Sequence, residues 1–132
     1  MSRQWISFGT EFEKRAGYSR ALRVGNQVFL SGTTGYDYAT GELPESVEDQ
    51  THQILRNATR ALEMAGSSLN EVVRTRIYVT DPAYFDRVVP ILGVAFAAIL
   101  PASTGVVSQL YNDAIKIEIE MDAIVGSAAP SS

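Results

Sequence analysis

From residue 115 to residue 122 the chain alternates without a break. Ile115, Ile117, Ile119 and Met121 fall on one side of the pattern, and Lys116, Glu118, Glu120 and Asp122 on the other. A period of two over this length marks a β-strand with one apolar and one polar face. The apolar side has to be covered by helices or a second sheet. The polar side sets Glu118, Glu120 and Asp122 in a row on one sheet face. An earlier run, residues 72–79, alternates in the same way, with Val73, Thr75, Ile77 and Val79 opposite Arg74, Arg76 and Tyr78. Two readings of this polar face stay open. One is charge pairing across a solvated or intersubunit surface; the other is a carboxylate held near an arginine in a cleft, where its pKa is tuned for proton transfer.

The other elements follow from local signals. Residues 21–24 and 28–33 flank Gly25-Asn26, a dipeptide suited to a tight hairpin. Residues 35–44 are rich in Gly, Asp, Thr and Tyr and read as a loop. Ser46, with Asp49 three residues on, opens a helix by a capping box. Thr51, Ile54, Leu55, Ala58, Leu62 and Ala65 form its apolar stripe, and Gly66 supplies a left-handed C-terminal cap. Asp81-Pro82 starts a second helix, expected to run to Leu100 just before Pro101. Pro90 lies inside it, at a cost of roughly 3 kcal/mol that packing must offset. Strands at residues 104–110 and 115–125 close the chain, and residues 4–8 allow a short extra strand. The order β-β-α-β-α-β-β gives an α+β fold, two helices on one face of a mixed sheet. Residues 1–125 are expected to form one domain and residues 126–132 a flexible tail.

Composition narrows the function. A chain of 132 residues has room for one domain, and 45% hydrophobic with 20% charged residues is globular. The absence of cysteine excludes disulfides, a thiol nucleophile and cysteine-ligated metals. The one histidine, His52, sits off the helix stripe and is expected at the surface, so no metal site is anticipated. A net charge of −4 gives no electrostatic footprint for nucleic acid or an anionic membrane. Residues 88–100 are too few to span a bilayer, and residues 1–8 lack the pattern of a signal peptide, so a cytoplasmic location is expected. The stretch Ser31-Gly32-Thr33-Thr34-Gly35 lacks the lysine of a phosphate loop, and Ser31 has no neighbouring base to make it a nucleophile. The second helix is apolar almost all round, through Val88, Val89, Ile91, Leu92, Val94 and Phe96, which points to an oligomer.

Several segments together carry a family resemblance. They include Gly17-Tyr18-Ser19-Arg20-Ala21, Val28-Phe29-Leu30-Ser31-Gly32, Gln50-Thr51, Ala65-Gly66-Ser67-Ser68-Leu69, Tyr78-Val79-Thr80-Asp81, Pro101-Ala102 and Lys116-Ile117-Glu118-Ile119-Glu120. In this order, over residues 17–125, the chain resembles the YjgF/RidA superfamily, also labelled L-PSP endoribonuclease-like. The resemblance implies a chorismate-mutase-like fold, a homotrimer and small-molecule clefts between subunits. It also implies cofactor-free hydrolysis of 2-imino or enamine acids to 2-keto acids and ammonia.

By the same resemblance, Glu118 is the glutamate that orients water and Tyr18 a cleft tyrosine. Ser31, Gly32 and Gly105 line the pocket through their backbones. The family pattern Pro-Ala-Arg-Ser is here Pro101-Ala102-Ser103-Thr104, so Ser103 stands where the carboxylate-gripping arginine belongs. A cleft asparagine is replaced too, in the loose alignment by Pro90. The chain thus reads as an arginine-lacking member, with deamination of ordinary 2-iminoacids doubtful and an imine- or enamine-type metabolite as the substrate class. The alternative is a non-enzymatic member that binds a metabolite or a protein through the same clefts. Ribonuclease activity is disfavoured by the negative charge and the lack of a histidine or lysine cluster. Arg76 is the residue that could replace the missing anchor, unless Glu118, Glu120 or Asp122 engage it instead.

Overall fold

The computed structural model describes residues 2–128. Six strands form one sheet in the order β1-β2-β3-β6-β4-β5: β1 Arg3–Ile6, β2 Ala21–Val24, β3 Gln27–Thr33, β4 Val72–Val79, β5 Ala102–Val107 and β6 Ile117–Ile124. Three α-helices accompany it: α1 Glu11–Ala16, α2 Val47–Met64 and α3 Ala83–Ala95. The β4–β5 pair is parallel, joined by the crossover through α3, and the other pairs are antiparallel. The alternation in β6 resolves as expected: Ile117, Ile119, Met121 and Ala123 are buried, in one core with Ile54, Ala58 and Leu62 of α2 and Val88 of α3. Each large aliphatic side chain so placed contributes about 1.5–3 kcal/mol of burial free energy.

The capping signals hold at α2 and shift by one residue at α3, where the sequence pattern sets Asp81 as the N-cap. Ser46 Oγ accepts from the Asp49 N–H at 3.1 Å, and Gly66 takes φ 80 just past the end of α2. At α3 the capping residue is Pro82, while Asp81 Oδ1 accepts from the Ala83 N–H at 2.9 Å. Pro90 lies inside one continuous helix, on its exposed side.

Several elements differ from the sequence-based expectation; β6, expected over residues 115–125, spans Ile117–Ile124. β4 carries a bulge between Val72 and Arg74, so Val72 is buried and Val73 is turned outward. α3 ends at Ala95 instead of residue 100; a turn follows in which Leu100 takes φ 49, the left-handed region, directly before Pro101. β5 spans Ala102–Val107, not residues 104–110, because its parallel register with β4 runs from Arg74–Ala102 to Val79–Val107 and stops where β4 stops. α1 was not anticipated: six residues capped by Thr10 and closed by Gly17 at φ 74 are too short and polar to show a stripe. The optional first strand is present, paired along β2 from Arg3–Val24 to Ile6–Ala21. Of the expected tail, residues 129–132 lie outside the described residues. Among the described residues, no helix is long and apolar enough to cross a membrane.

Candidate active site

The site begins with a bulge. Between the pairs Leu30–Met121 and Thr33–Ile119, β3 has one residue more than β6, so the ladder slips at Ser31-Gly32. The slip brings Gly32 under Glu118. A Cβ on Gly32 would stand 2.5 Å from Glu118 Oε2 and 2.9 Å from its carboxyl carbon, so only glycine lets the carboxylate rest there. Among the described residues Glu118 has no hydrogen-bond or ion-pair partner. Burial pushes its carboxyl above the usual glutamate range; the charge of Arg20 pulls it partly back, and Glu120 adds a smaller upward push.

Glu118, Arg20 and Gly32 share a pocket of about 430 Å³ with the rings of Phe12, Tyr18, Tyr36, Tyr38 and Tyr111. Helix α1 brings in Phe12, set edge-on to Tyr18 at 6.0 Å and to Tyr111 at 5.3 Å. Tyr36 and Tyr38 come from the loop after β3, which α2 holds through two buried amides. Asn57 Nδ2 donates to the carbonyls of Thr34 at 3.1 Å and Tyr36 at 2.8 Å. Gln50 Nε2 donates to Pro44 and Ala114, and its Oε1 accepts from the Lys116 N–H at 2.9 Å. Gln50 therefore ties the loop to the start of β6, two residues before Glu118. Arg20, only 3% exposed, donates to the Gly32 carbonyl at 2.5 Å and to the Tyr38 hydroxyl at 3.4 Å.

The residues singled out in the sequence fall into three places. Tyr18, Gly32 and Glu118 meet in the aromatic pocket. Ser31 and Arg76 line a wider concavity on the open sheet face, where Tyr18 also reaches. There Arg76 Nη1 lies 3.6 Å from Asp122 and 3.9 Å from Glu120, and Tyr78 donates to Glu120 at 2.5 Å. Ser103 is on the helix side, lining an apolar pocket of about 300 Å³ with Leu92, Phe96, Pro101 and Ile119, where its Oγ accepts from Thr75 Oγ1 at 2.9 Å. Gly105 lies under Phe85 of α3, whose ring would be 2.8 Å from a Cβ there. Since Glu118 and Ile119 are neighbours on β6 and point to opposite faces, Ser103 and Glu118 do not meet within one chain.

Sequence reasoning missed Arg20, Tyr36, Tyr38 and Tyr111. Arg20 stood inside a quoted motif without a role, and the tyrosines lay in segments read as loop and turn. The closely spaced loop tyrosines were the available signal. His52 is exposed as expected, and among the described residues no cluster of three or more His, Cys, Asp or Glu could hold a metal ion.

The α+β chain matches known proteins in both sequence and fold. The family model described as Endoribonuclease L-PSP matches residues 8–125, and the chain belongs to that family, within the YjgF/RidA superfamily. A RutC family protein of Pyrococcus horikoshii is 38% identical over 105 residues, 78% of this chain and 82% of its own. The mouse 2-iminobutanoate/2-iminopropanoate deaminase is 32% identical over 110 residues, covering 83% of this chain and 82% of its own. A crystal structure of a YjgF/YER057c/UK114 family member from Mycobacterium tuberculosis superposes with a TM-score of 0.85 and 41% identity, over 94% of this chain and 100% of that one.

Proposed function

We propose that the protein hydrolyses a small imine or enamine in a cleft between subunits, with Glu118 as the base that orients water. The observation that carries this reading is the Glu118 carboxylate itself: unpaired, partly buried, cradled on Gly32 and walled by aromatic rings. In the reaction, water adds to the C=N carbon as Glu118 takes one of its protons. That proton passes to nitrogen, and as the C–N bond of the tetrahedral adduct breaks, its hydroxyl proton moves to the leaving nitrogen, giving a carbonyl compound and ammonia. A carboxyl pushed upward by burial is a stronger base for this transfer than an exposed one. The similarity to deaminases of 2-iminobutanoate and 2-iminopropanoate supports the reaction class.

The substrate differs from those of arginine-bearing relatives. Ser103 offers a hydroxyl in an apolar pocket where the family pattern has a guanidinium. Losing a charge-assisted anchor costs about 1.5–3 kcal/mol, roughly ten- to a hundredfold in binding. An imine without a carboxylate, or with an apolar group in that position, suits the pocket better. Ammonia release from a panel of imines and enamines tests this, comparing the wild type with Glu118→Ala. Turnover lost in the variant supports the reading. Turnover of 2-iminoacids at the rate of arginine-bearing relatives would refute the substrate assignment, and binding without turnover would refute the catalytic role.

A further inference from the structure

Among the described residues, the aromatic pocket is lined by one cation, Arg20, and one carboxylate, Glu118. Arg20 is nearly buried, its Nε has no hydrogen-bond partner, and no ion pair engages it among the described residues. A buried guanidinium without a counter-charge is costly by several kcal/mol, so the fold has to offer it an anion. The other acids facing the region are already engaged. Glu13 accepts from Ser7 at 2.8 Å and from Thr10 at 2.9 Å. Glu120 on the neighbouring face accepts from Tyr78 and lies beside Arg76. Around Arg20 itself stand the neutral rings of Tyr18, 5.7 Å away, and Tyr38, while Tyr36 accepts from Asn112.

We propose that Arg20 is the positioning residue of this site: fixed to the Gly32 carbonyl beneath the bulge, it supplies the cation towards which the Glu118 carboxylate, resting on the same glycine, is drawn. This rests on Glu118 being the functional carboxylate named above, and it moves the cation of the site. The cation comes from the β2 side of the chain that supplies Glu118, and not from the β5 position now occupied by Ser103. Gly32 is the hinge of the arrangement, its carbonyl taken by Arg20 and its missing side chain leaving room for Glu118.

The test needs no substrate. The Glu118 carboxyl ¹³C and the Arg20 ¹⁵Nε signals are followed by NMR against pH in the intact protein. In the wild type both should move with one common midpoint, and in Glu118→Gln the Arg20 signal should be flat. In Arg20→Gln the Glu118 midpoint should move to higher pH, and Arg20→Lys should bring it back towards the wild type. A wild-type Arg20 signal blind to the Glu118 titration overturns the proposal, as does a folded Arg20→Gln with an unmoved Glu118 midpoint. If Arg20→Gln does not fold, the comparison of wild type with Glu118→Gln decides alone. Because imine turnover is measured separately, a failure here is distinguishable from a failure of the proposed reaction.

Discussion

Glu118 is held at some expense to the fold, and that expense can be measured. Its carboxyl is raised above the usual glutamate value by burial, so the native state binds its proton more tightly than the unfolded chain does. Stability linked to this group is therefore highest below the ordinary glutamate range, falls as pH rises through the window up to the raised native value, and is flat above it. Glu118→Gln mimics the protonated carboxyl, removing together the burial cost of the charge and its attraction to Arg20. Its melting temperature should run parallel to the wild type in acid and depart from it as pH rises through the Glu118 titration; a difference independent of pH would refute the burial argument. Gly32 sets the geometry. Gly32→Ala forces the carboxyl end of a flexible side chain aside and not a backbone, so stability should change by no more than about 1 kcal/mol while Glu118-dependent turnover collapses. A variant that keeps full turnover would show that the cradle is incidental. At this scale the sequence was uneven. Glu118 and Tyr18 stood out through the resemblance, but Arg20 did not, because nothing local marks an arginine that a bulge elsewhere will bury.

Elements were legible where the pattern is periodic. The α2 stripe and the β6 alternation each repeat often enough to fix both type and facing, and the cores of both elements match the reading. Where the pattern is interrupted by tertiary pairing the boundaries slipped: the Val73 bulge depends on the partner strand β6, and the limits of β5 on the length of β4. Buried amides were invisible for the same reason. Gln50 and Asn57 look like polar interruptions of a helix face, yet their partners lie in loops far along the chain. Asn57→Ala leaves the Thr34 and Tyr36 carbonyls without their donor and should destabilise by about 1–3 kcal/mol. Amide exchange should rise selectively in residues 34–44, together with weaker ligand binding in the tyrosine pocket. Unchanged exchange in that loop would mean that Gln50 alone suffices to hold it.

The molecule as a whole leaves apolar surface uncovered in two directions. On the open sheet face Trp5 is 66% exposed and Phe29 42%, beside the Arg76, Glu120 and Asp122 row. On the other side Val94 of α3 and Leu100 are 82% and 81% exposed, at and near the pocket that contains Ser103. Patches of this kind, on surfaces that differ from one another, suit heterologous contacts, in which one copy offers one face and its neighbour the other. Glu118 opens to one face and Ser103 to the other, so under the proposed shared cleft a complete site would draw on a head-to-tail neighbour. Head-to-tail contacts close into a ring where the rotation closes, and a ring of three is the assembly that the family resemblance implies. A two-fold dimer uses one self-complementary patch on both copies, and with Glu118 and Ser103 opening to opposite sheet faces a single such patch does not hold both. Light scattering at micromolar concentration should thus give about three times the 14.4 kDa chain mass. Mixing two inactive variants, Glu118→Ala and one with the Ser103 pocket filled by Ser103→Phe, then refolding them together, should restore part of the turnover, because some clefts draw both intact halves from different copies. A monomer, a two-fold dimer, or a mixture with no recovered activity would overturn the shared-cleft arrangement.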